Sequence, residues 1–215
     1  MSASVHKVFP EAGFSLLEVT VAITILTVGT LSAALLSSKM MSGGQQSKYM
    51  SLAATLASEK LEDLNRWDAD NPQLCVPSGN TTVGSLSSDV LQTTTCPSGS
   101  SGVVNYYDDV SLALNSGSDC PGATAGCFSE TVSSISAGNT VYTTTYHSPD
   151  GTITTPAASS TPPSTSTFHR RWVIESNPTI GGSAVSGVRR VTVLVTLLDQ
   201  SVSPAVTFQM SVVRP

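Results

Sequence analysis

The 23 residues from Phe14 to Leu36, FSLLEVTVAITILTVGTLSAALL, contain one charged side chain, Glu18, and no proline. As a helix this run spans about 34 Å at ~1.5 Å per residue, enough for a hydrocarbon layer of about 30 Å. Its β-branched residues, among them Val19, Ile23, Ile25 and Val28, lower helix propensity in water. Lipid overrides that preference, because every backbone group there needs an internal partner and only a helix supplies it within one segment. The sequence therefore predicts a transmembrane helix over residues 14–36.

Two other readings compete. A secretory signal peptide has an apolar core of about 7–15 residues followed by a small-x-small cleavage site. Here the run is longer, and Ser32-Ala33-Ala34 is followed by more apolar sequence. A simple signal anchor passes the same hydropathy test. Basic residues leave the orientation open: Lys7 precedes the run, while Lys39 and Lys48 follow it. The four cysteines, Cys75, Cys96, Cys120 and Cys127, all lie beyond the run. An even count in loop-rich sequence of low charge points to disulfides in an oxidising compartment, which places that part of the chain outside the cytoplasm. Three connectivities are open, and sequential pairing is preferred because each bond then closes a short loop. Zinc is disfavoured: Cys120 and Cys127 are separated by six residues, with no histidine near them.

Charged residues make up 12% of the chain and its net charge is −5. Nucleic-acid binding needs clustered Lys and Arg, and the best groups here are two separate pairs, Arg170–Arg171 and Arg189–Arg190. No nucleic acid is expected as a partner.

Glu18 carries the most information within the apolar run. A carboxylate at mid-bilayer costs about 2.5–3.5 kcal/mol or more and demands a partner. If the chain is cut after Gly13, a new α-amino group appears at Phe14, four residues before Glu18, and a helix start itself favours an anion. The stretch EAGFSLLEV, Glu11 to Val19, resembles the class III leader-cleavage site of type IV pilins and type II secretion pseudopilins. The shared pattern is a short leader ending in Gly, then Phe, with Glu as fifth residue of the mature chain. That resemblance implies removal of residues 1–13 by a prepilin peptidase and methylation of the Phe14 amine. It also implies that Glu18 guides docking into a growing filament. The leader departs from the usual basic one in having a single lysine.

Beyond the run, the glycine pair Gly43–Gly44 predicts a bend or local break, at roughly 1 kcal/mol per glycine against alanine. Helical spacing then resumes over residues 37–67, with Leu52, Ala53, Leu56, Ala57, Leu61 and Leu64 on one stripe and Glu59, Glu62 and Asp63 turned away. LAATLASEKLEDLNRW is similar to the matching part of PilV-type minor pilins and of I-type minor pseudopilins, and Trp67 is expected to anchor its packing. Asn71–Pro72 is expected to end the helix. Residues 68–215 read as a β-rich head. Within it, residues 75–102 form a loop or short irregular strands, and 103–114 a short strand or helical turn. Residues 141–147 form an exposed strand, and 150–167 a mobile low-complexity surface loop. RRWVIES, VRRVTVLVTLLD and PAVTFQMSVVRP read as three strands, the last two as an antiparallel hairpin with Val191, Val193, Val195 and Leu197 on one face. The fold class is α+β, a long N-terminal helix packed on a C-terminal antiparallel sheet.

No catalytic constellation is present: His147 and His169 stand alone in polar sequence, and no nucleophile has a base and an orienting group at motif spacing. Asp108 and Asp109 suggest calcium, but six or more oxygens are needed and no D-x-D-x-D-G loop exists, so neither metal nor cofactor is expected. The resemblance implies a minor type IV pilin of the PilV kind that primes or modifies a filament. The alternatives are a minor pseudopilin of a type II secretion system and a membrane-anchored adhesin that never polymerises. The implied partners are the prepilin peptidase, other pilin or pseudopilin subunits, an inner-membrane assembly platform and the bilayer. The implied location is the inner membrane and then the pilus or cell surface.

Overall fold

The computed structural model describes residues 15–112, 127–136, 138–148, 150–162, 166–199 and 202–215. One helix, α1, runs from Leu16 to Arg66. Two compact units divide the chain, Met1–Gly44 and Gln45–Pro215. In the first, every described residue is exposed, including all of the most apolar stretch. Its hydroxyls are turned back on the helix: Thr20, Thr24, Thr27, Thr30 and Ser32 each donate to a backbone carbonyl three or four residues earlier, at 2.7–3.1 Å. This pattern satisfies the hydroxyl donors within the helix itself.

The helix continues through Gly43–Gly44, contrary to the expected break. Two glycines cost about 2 kcal/mol together, less than the bonding of the long helical segments on either side, although the boundary between the units falls there. The helix stops at Arg66, ahead of Asn71–Pro72. Its last carbonyls are bonded from the sheet, where Arg214 Nη1 donates to Leu64 O at 3.2 Å and Asn65 O at 3.3 Å. A cation at a helix C-terminus also favours its dipole.

The strands are β1 (Thr82–Gly84), β2 (Leu91–Thr95), β3 (Ser101–Asn105), β4 (Tyr107–Leu112), β5 (Phe128–Ser136), β6 (Asn139–His147), β7 (Ile153–Thr154), β8 (Phe168–Ser176), β9 (Thr179–Ile180), β10 (Ser183–Ala184), β11 (Arg189–Leu197) and β12 (Thr207–Arg214). The main sheet is antiparallel in the order β12-β11-β8-β4-β5-β6-β7. On one side β8 is matched along its length by β11; on the other, β4 pairs with its first half and β1 with its second. The pairs β2–β3 and β9–β10 form small separate sheets. The fold is therefore the expected helix plus antiparallel sheet, and β11 and β12 form the expected hairpin.

Within the second unit the helix buries Ala53, Leu56, Ala57, Leu61 and Leu64 against Phe168, Trp172, Ile174, Val191, Val193 and Val195. Trp67 is not part of this packing. It lies one residue past the helix end and is 44% exposed, whereas Trp172, from the facing strand, is 2% exposed and fills the role assigned to it. The low-complexity stretch is exposed over 150–162, but part of it extends the sheet as β7, and Ser159 bridges Tyr142.

Candidate functional site

Among the described residues, polar chemistry is concentrated in two places. The first is the start of α1. Ser15 precedes the helix, and its Oγ accepts from the Glu18 backbone N–H at 3.2 Å, while its carbonyl accepts the Glu18 and Val19 N–H groups. Glu18 is thus the third helical residue of an S-x-x-E start, and its carboxylate sits in the first turn, where the helix dipole favours an anion. The serine cap was overlooked in the sequence, although the spacing Ser15 to Glu18 spells it out. Glu18 has this local role whatever it does toward other chains. Gly13 and Phe14 lie outside the described residues.

The second is a charged cluster between α1 and the sheet. Asp108 and Arg170 are directly opposed across β4 and β8, both fully buried. Arg170 donates to Asp108 through Nε at 2.7 Å and Nη2 at 2.8 Å, and its Nη2 also bonds Glu130 on β5. Lys60 of the helix places Nζ 3.0 Å from Asp108 and 4.4 Å from the centroid of the Trp172 ring. Burial alone would push the Asp108 carboxyl up, but the Arg170 guanidinium and the Lys60 ammonium outweigh it and hold it at about 2. Burial opposes the Arg170 charge as well, and Asp108 and Glu130 more than offset that, raising its pKa. Beside them Glu59 is raised, first by burial and then by Glu130. Removing any one member of such an assembly strands a buried charge.

On the opposite face of the same two strands, Asp109 is paired with His169. The ring nitrogens of His169 contact Asp109 at 2.6 Å and Asp89 at 2.8 Å, and Arg171 Nε donates to Asp89 at 2.7 Å. His169 is not isolated as the sequence suggested, and Asp108 and Asp109 serve ion pairs; the His169–Asp109 and Arg170–Asp108 partners are 60 and 62 residues apart along the chain. His147 stacks on Phe128 with centroids 4.4 Å apart, and its Nε2 lies 3.5 Å from Glu130, a charge contact without hydrogen-bond geometry.

The two arginine pairs do not form a basic surface. Arg170 and Arg171 are engaged as described, Arg189 donates to Ala69 O at 2.7 Å, and Arg190 bonds Glu175. Cys75 and Cys96 form a disulfide, both buried. Cys127 is also disulfide-bonded, and Cys120 lies outside the described residues. Among the described residues no group of three His, Cys, Asp or Glu side chains is arranged to hold a metal ion.

The apolar, self-satisfied helix with a carboxylate in its first turn leads to the comparison with known families. Residues 9–34 match the prokaryotic N-terminal methylation motif. This motif is of the type IV pilin-like kind, and the matched stretch takes in the Gly13–Phe14 junction, Glu18 and most of the apolar run. No curated protein and no solved structure matches the chain. The motif supports a pilin-like or pseudopilin-like reading, implies processing by a prepilin peptidase and assembly with other pilins, and fits anchoring in a membrane. It suggests a structural role rather than a catalytic one.

Proposed function

We propose that this protein is a minor type IV pilin of the PilV kind, a membrane-anchored subunit that primes assembly of a filament or modifies it. The observation that carries the reading is the matched motif at residues 9–34, which leads directly into the exposed apolar length of α1. In this reading the peptidase cuts after Gly13 and methylates the Phe14 amine. The freed amine and the Glu18 carboxylate of a neighbouring subunit then meet at matched depth, and neutralising each other lowers the cost of both in lipid. The helix is first held in the inner membrane with the head outside the cytoplasm, a placement that the Cys75–Cys96 disulfide supports.

The motif is shared with secretion pseudopilins, so the deciding experiment reads the filament itself. Sheared pili should contain the protein, and intact-mass analysis should give a chain starting at Phe14 and one methyl group heavier. Protein that keeps residues 1–13, or that is missing from abundant pili, overturns the proposal. Gly13→Ala should block leader removal. Glu18→Val should be processed normally yet enter filaments poorly, and unchanged incorporation would remove the amine–carboxylate pairing from the account.

A further inference from the structure

His169 has a carboxylate against each ring nitrogen, Asp109 2.6 Å from Nδ1 and Asp89 2.8 Å from Nε2. A neutral imidazole has one N–H and an ionised carboxylate only accepts, so only the imidazolium satisfies both contacts. The charged and titratable groups around the ring come from three parts of the head. Strand β4 supplies Asp109 and the Tyr107 ring, whose centroid is 5.9 Å away; β8 supplies Arg171; the link from β1 to β2 supplies Asp89. On the other side β11 brings the uncharged Thr196 opposite His169. The two carboxylates raise the imidazole pKa, Asp109 foremost, against burial.

The two contacts are unequally anchored. Asp109 is the strand partner of His169, and the β4–β8 ladder holds that pair together. Asp89 stands in the link, residues 85–90, which belongs to no strand, and its side chain is 44% exposed. The link is fixed at one end by β1 pairing with β8, and at the other by the Tyr106 N–H, which donates to Val90 O at 2.8 Å. Between those points the Ser87 and Ser88 N–H groups donate to Ser85 Oγ, within the link itself. Among the contacts described, Asp89 is what fastens this stretch to the sheet. When the imidazole loses its proton, the remaining N–H stays with the ladder-held Asp109, and the Nε2 lone pair is left facing the Asp89 oxygen. Arg171 Nε, 2.7 Å from that same oxygen, is then the one tie, a partly exposed contact of the kind that contributes little alone.

We propose that residues 85–89 form a pH-sensitive strap, clamped to the sheet while His169 is charged and lifting from it when the ring is neutral. Opening uncovers the edge of the His169 ring and leaves the strands in place. The strap is separate from the N-terminal helix and does not depend on the filament reading. Its test uses the full chain in detergent micelles with a nitroxide at Ser87→Cys, an exposed position. As pH rises from about 5 to about 9, the mobile form of the label should gain about tenfold over the clamped form. The midpoint should be that of the His169 imidazole, followed by NMR in the same sample. With Asp89→Ala, a substitution at an exposed side chain, the label should be mobile at every pH. A label that stays immobile through the imidazole titration means that Arg171 suffices to hold the strap, and overturns the proposal. A pH response that survives in Asp89→Ala, or a loss of near-UV circular dichroism at the same midpoint, places the transition elsewhere in the head and overturns it too.

Discussion

Replacing Asp108 with asparagine removes one negative charge, and with it the centre of the buried cluster, at almost no change in volume. The carboxylate accepts two hydrogen bonds from Arg170, at 2.7 and 2.8 Å, and faces Lys60 at 3.0 Å. Arg170 is wholly buried, so after the substitution it has Glu130 as its only charged partner among the contacts described. Removing one member of a buried ion pair costs about 3–5 kcal/mol, chiefly because the remaining charge is stranded. For a domain of this size that corresponds to a fall in Tm of roughly 6–20 °C. Near-UV circular dichroism of the full chain in a non-ionic detergent at pH 7 reads the loss of head packing directly. The acid limb provides a second check. The Asp108 carboxyl lies at about 2 in the fold against an ordinary 3.8, so its stabilisation is complete above the ordinary value and is lost as pH falls through the folded one. The gap between wild type and Asp108→Asn should therefore close between about pH 4 and pH 2. A variant that melts within about 2 °C of wild type at pH 7 would show that the cluster is solvated or dispensable and refute the reasoning.

The other predictions concern separate parts of the head. His169 is held above its ordinary 6.5, first by its bond to Asp109, against burial, and then by Asp89. An NMR titration of its imidazole should show this, with Asp89→Asn lowering the value. The stability it contributes is complete below about 6.5 and lost as pH rises through the folded value. Gly84→Ala should destabilise by about 2 kcal/mol or more, read by denaturant melts. Gly84 has φ +78°, and an added Cβ would lie 2.3 Å from Trp172 O and 2.8 Å from the Tyr106 ring. Replacing both Cys75 and Cys96 with serine opens a loop of sequence separation 21 and should cost about 3 kcal/mol in the same melts, with the unfolding still cooperative.

What was legible in the sequence was whatever has a local period or a local motif. The stripe from Leu52 to Leu64 and the alternation of Val191, Val193, Val195 and Leu197 place those residues in the core, and all are buried there except Leu52, which is half-buried at its edge. Lys60 falls on that same helical stripe, three residues from Ala57 and four from Leu64. A cation at a core position implies a buried acid, a signal that was available and unused. Strand β5 escaped notice because FSETVSSIS is polar on both faces; it is held between β4 and β6, with Ser129 and Thr131 buried and Thr131 Oγ1 bonded to Thr144 Oγ1 at 3.0 Å. The partners of Asp108, Asp109 and His169 were out of reach for a different reason. Which acid meets which base depends on β4 pairing with β8 rather than with a strand next to it in sequence, and no local pattern encodes that choice.

The β4–β8 ladder also has a history in time. The strands β4 to β7 on one side of it, and β8, β11 and β12 on the other, each pair in the order in which they occur, whereas Asp108 and Arg170 are 62 residues apart. At synthesis rates of about 5–20 residues per second, the earlier set waits roughly 3 to 12 seconds for its counterpart to emerge. Until β8 pairs with it, the β4 edge carries neighbouring carboxylates, Asp108 and Asp109. Two such edges repel each other, as charged edge strands do. The carboxylates that Arg170 and His169 engage in the finished ladder are thus the same ones that make an unpaired β4 edge acidic.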